Sequence, residues 1–138
     1  MKIWENLKTF LYKRRKAWYG LEFPLFCKVR GVSSLERQGA IAQSRSGDLL
    51  QIVHAPLKKY RHNVYVYNIT LNRVIGYLHK DLSQKLVRLF GKNFCRDGVI
   101  EKITGGAPER EYLGCNIRIL ETMTMMRDCE DFNVLRGQ

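Results

Sequence analysis

Residues 49–78 read LLQIVHAPLKKYRHNVYVYNITLNRVIGYL. Three short runs stand out in this stretch: Leu49–His54, Asn63–Ile69 and Arg73–Leu78. Each is rich in β-branched and aromatic residues and short enough to be a strand, with polar connecting segments between them. Three short strands are the expectation. In the middle run Tyr65 and Tyr67 alternate with Val64 and Val66. One pair must face the core, and the pattern alone leaves open which pair does.

Working outward, Leu25–Val32 reads as a further strand, ending at Gly31 and a polar Ser33-Ser34 turn. Residues 35–48 offer only Ala40 and Ile41 for burial, so a loop or short helical turn is expected. On the other side, Leu82, Leu86, Leu89 and Phe90 fall at i, i+4, i+7 and i+8, with Asp81 at the start and Gly91 at the end. That spacing predicts one amphipathic helix. Gly98–Thr104 and Leu113–Glu121 complete the strands, with Gly105-Gly106 as a hairpin loop. In the last strand Cys115, Ile117 and Ile119 alternate with Asn116, Arg118 and Leu120. A parallel sheet would need a helical crossover between most strands, and the spacing leaves room for one. The expected fold is mainly β: a small closed or partly closed barrel of about six strands with one inserted helix.

Ahead of the barrel, residues 3–18 carry Ile3, Leu7, Phe10 and Leu11 at helical spacing, flanked by Trp4 and Trp18. This is an amphipathic helix with basic residues in its last turns and Gly20 as its cap, and Pro24 bars its continuation. Docking of its apolar face on the domain is the expected use. A membrane-surface helix and a nucleic-acid clamp are the alternatives. The chain thus divides into a basic helix over 1–22, a barrel domain over 23–121, and a tail or short helix over 122–138.

The 138-residue chain is 45% hydrophobic, enough for a folded core, and no stretch approaches the roughly 20 apolar residues of a membrane span. Lys8 and the Lys13–Lys16 cluster also break the apolar run that a secretory signal would need. A soluble, cytoplasmic, single-domain protein is expected. Twenty-four Lys and Arg stand against thirteen Asp and Glu, a net charge of +11. Such a surplus favours a polyanionic partner: nucleic acid, anionic lipid or an acidic protein. The charge is uneven. Residues 1–20 hold six basic groups and one acid, and residues 58–98 hold nine and two, whereas residues 99–138 are slightly acidic.

Catalytic signatures are missing: no HExxH, no GxSxG, no GxxxxGK[ST], and no carboxylate cluster in the central region. Cys27, Cys95, Cys115 and Cys129 are too scattered for a metal site. Neither enzyme activity nor a metal or cofactor is expected. Between the first two central strands, however, Lys58, Lys59 and Arg61 can reach phosphates, and the Tyr60 ring offers a surface on which any base can stack.

The order Gly47-Asp-Leu-Leu-Gln-Ile-Val-His-Ala-Pro56, then Tyr60-Arg-His-Asn63-Val-Tyr-Val66, then Val74-Ile-Gly-Tyr-Leu-His-Lys-Asp-Leu82 resembles the HIRAN domain. The likeness continues through the helix, through Ile103-Thr-Gly-Gly106 and through Leu113-Gly-Cys-Asn-Ile-Arg-Ile119, covering roughly residues 25–121. That domain occurs alone in bacterial proteins and at the N-terminus of some DNA-remodelling ATPases. The resemblance implies a modified OB-like barrel that binds single-stranded DNA at its 3′ end. Gly76-Tyr77, Lys80 and Tyr112 match its glycine-aromatic step, a basic position and a stacking position. The family's loop is Asn-Pro-Tyr-Asp followed by Asn; this chain has Lys58-Lys59-Tyr60-Arg61 and then Asn63, with Arg61 in place of the aspartate. Where end-binding members carry a basic-aromatic run, it has Lys28, Val29 and Arg30.

The expectation is a non-enzymatic nucleic-acid-binding module for single-stranded DNA or exposed DNA ends, with RNA as a possible ligand. Its contacts would be Lys58, Lys59, Arg61 and Lys80 on phosphates, Tyr60, Tyr77 and Tyr112 on bases, with Asn63, Lys28 and Arg30 beside them. The alternative is a module that docks on a DNA-repair or remodelling protein, or on an anionic membrane, through the N-terminal helix.

Overall fold

The computed structural model describes residues 2–106 and 111–123. Its elements in chain order are α1 (Lys2–Trp18), β1 (Leu25–Lys28), α2 (Leu35–Gln43), β2 (Leu49–His54), β3 (Val64–Asn68), β4 (Arg73–Tyr77), α3 (Lys80–Phe90), β5 (Cys95–Gly105) and β6 (Leu113–Ile119). The protein is mainly β. All six strands join one antiparallel sheet in the order β1-β6-β5-β2-β3-β4. The two edges then meet beyond β1. Arg30 N–H donates to the Tyr77 carbonyl at 2.7 Å, and Tyr77 N–H donates to the Arg30 carbonyl at 3.0 Å.

Alternation decides which side of each strand lines the interior. Leu50 and Ile52 of β2, Val64 and Val66 of β3, Ile75 of β4 and Ile117 and Ile119 of β6 are fully buried in one core. The open choice in β3 is thereby resolved: the valines point into the main core, while on the other face Tyr65 is half-buried and Tyr67 is buried in a second, small apolar cluster with Val53 and Cys95. A register shift between Val66 and Tyr67 marks an irregularity in the β3–β4 pairing. Each core side chain contributes on the order of 1.5–3 kcal/mol by leaving water. Helix α3 inserts Leu86 and Leu89 into the same core and ends at Gly91, whose φ of 93° suits a residue without Cβ.

Two expectations need correction. Residues 35–43 form a full helix, so the curled six-stranded sheet carries two inserted helices. Ser34 caps α2 by accepting from Arg37 N–H at 3.3 Å, and Ala40 and Ile41 bury its inner side. Gln38 then fastens the helix to the barrel, donating to the carbonyls of Val32 at 2.7 Å and Leu113 at 2.9 Å, and accepting from Leu113 N–H at 2.9 Å.

The second correction concerns α1. It forms as expected, but its apolar face does not dock: none of its residues is buried, and Ile3 and Trp18 are 84% and 86% exposed. The contacts that hold it come from its other side, through Tyr12, Lys16 and Tyr19. Strand β1 is also shorter than the run that marks it, because Gly31 turns the chain with a φ of 65°. Residues 124–138 of the expected tail lie outside the described residues. Among the described residues no helix is long and apolar enough to cross a membrane.

Candidate nucleic-acid interface

The loop joining β2 to β3 is built around His54 and Asn63. His54 is buried at the end of β2; its Nδ1 accepts from Asn93 N–H at 2.9 Å, and its Nε2 lies 2.7 Å from the Arg61 carbonyl. A backbone N–H can only donate, so Nδ1 is the acceptor and the ring proton sits on Nε2. Asn63 Nδ2 donates to the Ala55 carbonyl at 3.1 Å. Leu57 and Tyr60 exchange backbone hydrogen bonds of 3.0 and 3.1 Å, which leaves Lys58 and Lys59 as the exposed tip of a tight turn. The basic pair is thus held out on a fixed support.

Tyr60 leans from this turn onto the start of α3. Its hydroxyl donates to the Lys80 carbonyl at 2.9 Å, and Lys80 Nζ sits 5.6 Å from its ring centroid. Burial, and secondarily the charge of Asp81, push the Tyr60 phenol above its ordinary value, so it remains a donor. Tyr77 stands across from it on β4, opposite Tyr65 in the β3 pairing. The Tyr77 ring is laid against Gly31, where a Cβ would collide with the ring. Arg37 of α2 comes over that ring at 5.6 Å from its centroid while donating to the Gly31 carbonyl at 2.7 Å.

These side chains enclose a pocket of about 490 Å³. Leu57 and Leu78 give it an apolar lining, Tyr60, Tyr65 and Tyr77 supply rings, and Arg37, Lys59 and Lys80 supply positive charge; among the described residues no carboxylate lines it. Arg37 and Tyr65 also line a second depression of about 300 Å³ that runs along β3 and β4 to Arg73. Together they form a track in which Arg37 and Arg73 stand against one carboxylate, Glu36, at the second depression.

Of the residues singled out by sequence, Lys59, Tyr60, Asn63, Tyr77 and Lys80 come together in this pocket. Asn63 is itself buried with its amide committed to Ala55, so its part is to shape the loop. Lys58 and Arg61 are exposed on the same loop but outside the pocket lining. Lys28 and Tyr112 line a separate depression of about 320 Å³ beside the β5–β6 hairpin. Arg30 touches the site through its backbone bridge to Tyr77. Arg37, Tyr65 and Arg73 were not anticipated. The signal for Arg37 was Ser34, an N-cap residue ahead of Glu36, which starts the helix that carries it.

For chemistry, the pocket lining offers cations, phenols and one amide. Burial pushes the thiols of Cys27 and Cys115 up to about 12, with neighbouring negative charge adding to the effect at Cys115. Both are therefore uncharged at neutral pH. Among the described residues, no three His, Cys, Asp or Glu side chains gather where they could hold a metal ion. No family model, no curated protein and no solved structure matches this chain.

Proposed function

We propose that the protein is a non-enzymatic, HIRAN-like module with an OB-like barrel that binds single-stranded nucleic acid, DNA in the first instance, along the outer face of β3 and β4. The observation that carries this reading is the pocket itself: three tyrosine rings and three cations around one cavity, with no carboxylate among its described lining residues. Flat rings receive bases whatever their sequence, and Lys and Arg neutralise the phosphates between them. Arg37, Lys59 and Lys80 hold phosphates, Tyr60 and Tyr77 stack, and Lys58 and Arg61 add charge at the margin. Arg73 extends the track. The meeting of β1 and β4 at Arg30 and Tyr77 is the feature that favours a barrel over an open sheet.

The test is a titration of a fluorescent oligothymidine against the wild type and two variants at several salt concentrations. Lys59→Ala combined with Lys80→Ala removes two phosphate contacts, so the slope of log affinity against log salt should shrink by about 1.4. Tyr77→Ala removes a ring worth roughly 1–3 kcal/mol and should weaken binding about 5- to 150-fold with the slope unchanged. Tyr77 is 38% exposed, so its loss does not open a core cavity. Wild-type affinity in both folded variants would refute the assignment of this face.

A further inference from the structure

Helix α1 is fastened to the barrel by one side and turns its apolar side to solvent. The fastening is specific. Tyr12 stacks on Phe90 with centroids 6.3 Å apart and donates to Glu121 at 2.7 Å, and Lys16 pairs with the same carboxylate at 3.2 Å. The helix end is equally fixed. Gly20 N–H bonds the Ala17 carbonyl and Leu21 N–H bonds the Lys16 carbonyl, both at 3.0 Å, with Gly20 at a φ of 65° and Leu21 buried in the core. This is a Schellman closure anchored by its own hydrophobic contact.

With that side attached, Ile3, Leu7, Leu11 and Trp18 line up along the opposite side at helical spacing, with Trp4 and Phe10 beside them. All six are exposed. A stripe of this size on one helix marks an interaction surface. Its surroundings indicate what covers it. The helix carries Lys2, Lys8, Lys13, Arg14, Arg15 and Lys16 against Glu5 alone, so two copies would repel along their length while an anionic surface attracts. Arg14 lies within the stripe, its guanidinium 5.7 Å over the Phe10 ring. A packed protein seam would have to strip water from that charge, whereas in a lipid headgroup layer it can remain beside phosphate. Tryptophans toward both ends of an apolar face with lysines at its margins are the composition of a helix lying in the membrane interface.

We propose that α1 is an interfacial anchor that lays this stripe into an anionic lipid surface and leaves the β3–β4 track free. The inference does not depend on what that track binds. Both tryptophans of the chain lie on this helix, so tryptophan emission reports on it alone. Phosphatidylcholine vesicles containing phosphatidylserine should shift the emission of the full chain to shorter wavelength and shield it from acrylamide. Vesicles of phosphatidylcholine alone should do so far less. Leu7→Glu with Leu11→Glu should lower partitioning by roughly tenfold or more without moving the melting temperature, since both side chains are exposed. Lys8→Gln with Lys13→Gln should lower it roughly twenty-five-fold, about fivefold per charge. Tyr77→Ala should leave it unchanged. Emission indifferent to anionic vesicles overturns the proposal. So does a shift without lipid that grows with protein concentration and accompanies a dimer in sedimentation, which would assign the stripe to a second copy. A shift produced by an oligonucleotide and not by vesicles would overturn it in favour of a nucleic-acid clamp.

Discussion

Tyr77 can be a stacking surface only because Gly31 lets it lie where it does. Gly31 has a φ of 65°, and a Cβ built on it would collide with the edge of the Tyr77 ring. Gly31→Ala therefore combines left-handed backbone strain of about 1 kcal/mol with forced movement of the ring. The variant should melt several degrees lower and, assayed well below its melting temperature, bind oligothymidine about as weakly as Tyr77→Ala. An unchanged melt and affinity would show that the ring does not depend on this contact. The same pair shows what a residue-level reading of sequence can reach. The Lys58–Arg61 loop was legible in its own composition, and Gly76-Tyr77 and Lys80 only through the family resemblance. That Gly31 and Arg37 bracket Tyr77 was not, because the barrel closure brings them from a distant part of the chain.

Among the elements, legibility followed the number of apolar residues that each one carries at regular spacing. Strand β6 declares itself through Cys115, Ile117 and Ile119, and α3 through its four apolar positions. Helix α2 buries only Ala40 and Ile41 and holds its place largely by the hydrogen bonds of Gln38. Periodicity says nothing of those. Helix α1 was legible as a helix, but the side that docks was not, since Tyr12 meets a carboxylate 109 positions away. That attachment should be pH-dependent. Glu121 is held below the ordinary carboxylate value of 4.5, first by the Tyr12 hydrogen bond and then by Lys16, with burial opposing. Its contribution is present above that value and is lost as pH falls through the lower folded value. Tyr12 is raised above its ordinary value of 10.0, chiefly by burial and then by Glu121, so its part is present below 10.0 and is lost at high pH. Protection factors in the last turns of α1, with the intrinsic pH dependence of amide exchange divided out, should therefore be highest between these limits and fall at acid pH. Glu121→Gln should abolish the acid limb. Protection that ignores acid in the wild type would rule out this tether.

For the molecule as a whole, the basic surplus is concentrated in residues 1–20 and 58–98, and the proposed track draws Lys59, Arg73 and Lys80 from the second of these together with Arg37. The track's three pocket cations, at about 0.7 per phosphate contact, set a salt slope near −2 for single strands, and Lys58 and Arg61 can carry it to about −3.5. Deleting α1 should not reduce that slope if α1 and the track act separately. The nature of the pocket also bears on chain ends. The family that this chain resembles places an aspartate where Arg61 stands, and here the Arg61 side chain is exposed while its carbonyl is tied to His54. A terminal 3′ hydroxyl is a neutral donor that needs an acceptor. The pocket supplies ammonium and guanidinium groups, and its side-chain acceptors are neutral phenol oxygens and the buried amide of Asn63, with no carboxylate among its described lining residues. A strand running through the site thus meets the same charges and rings as a strand ending there. Oligonucleotides with free and 3′-phosphorylated ends should accordingly bind within a few-fold of each other, the phosphorylated end gaining slightly from the cations at low salt. Arg61→Asp would introduce a carboxylate on the same loop and should lower affinity for both strands, but less for the free hydroxyl. A strong free-end preference in the wild type would mean that an acceptor outside this pocket reads the terminus.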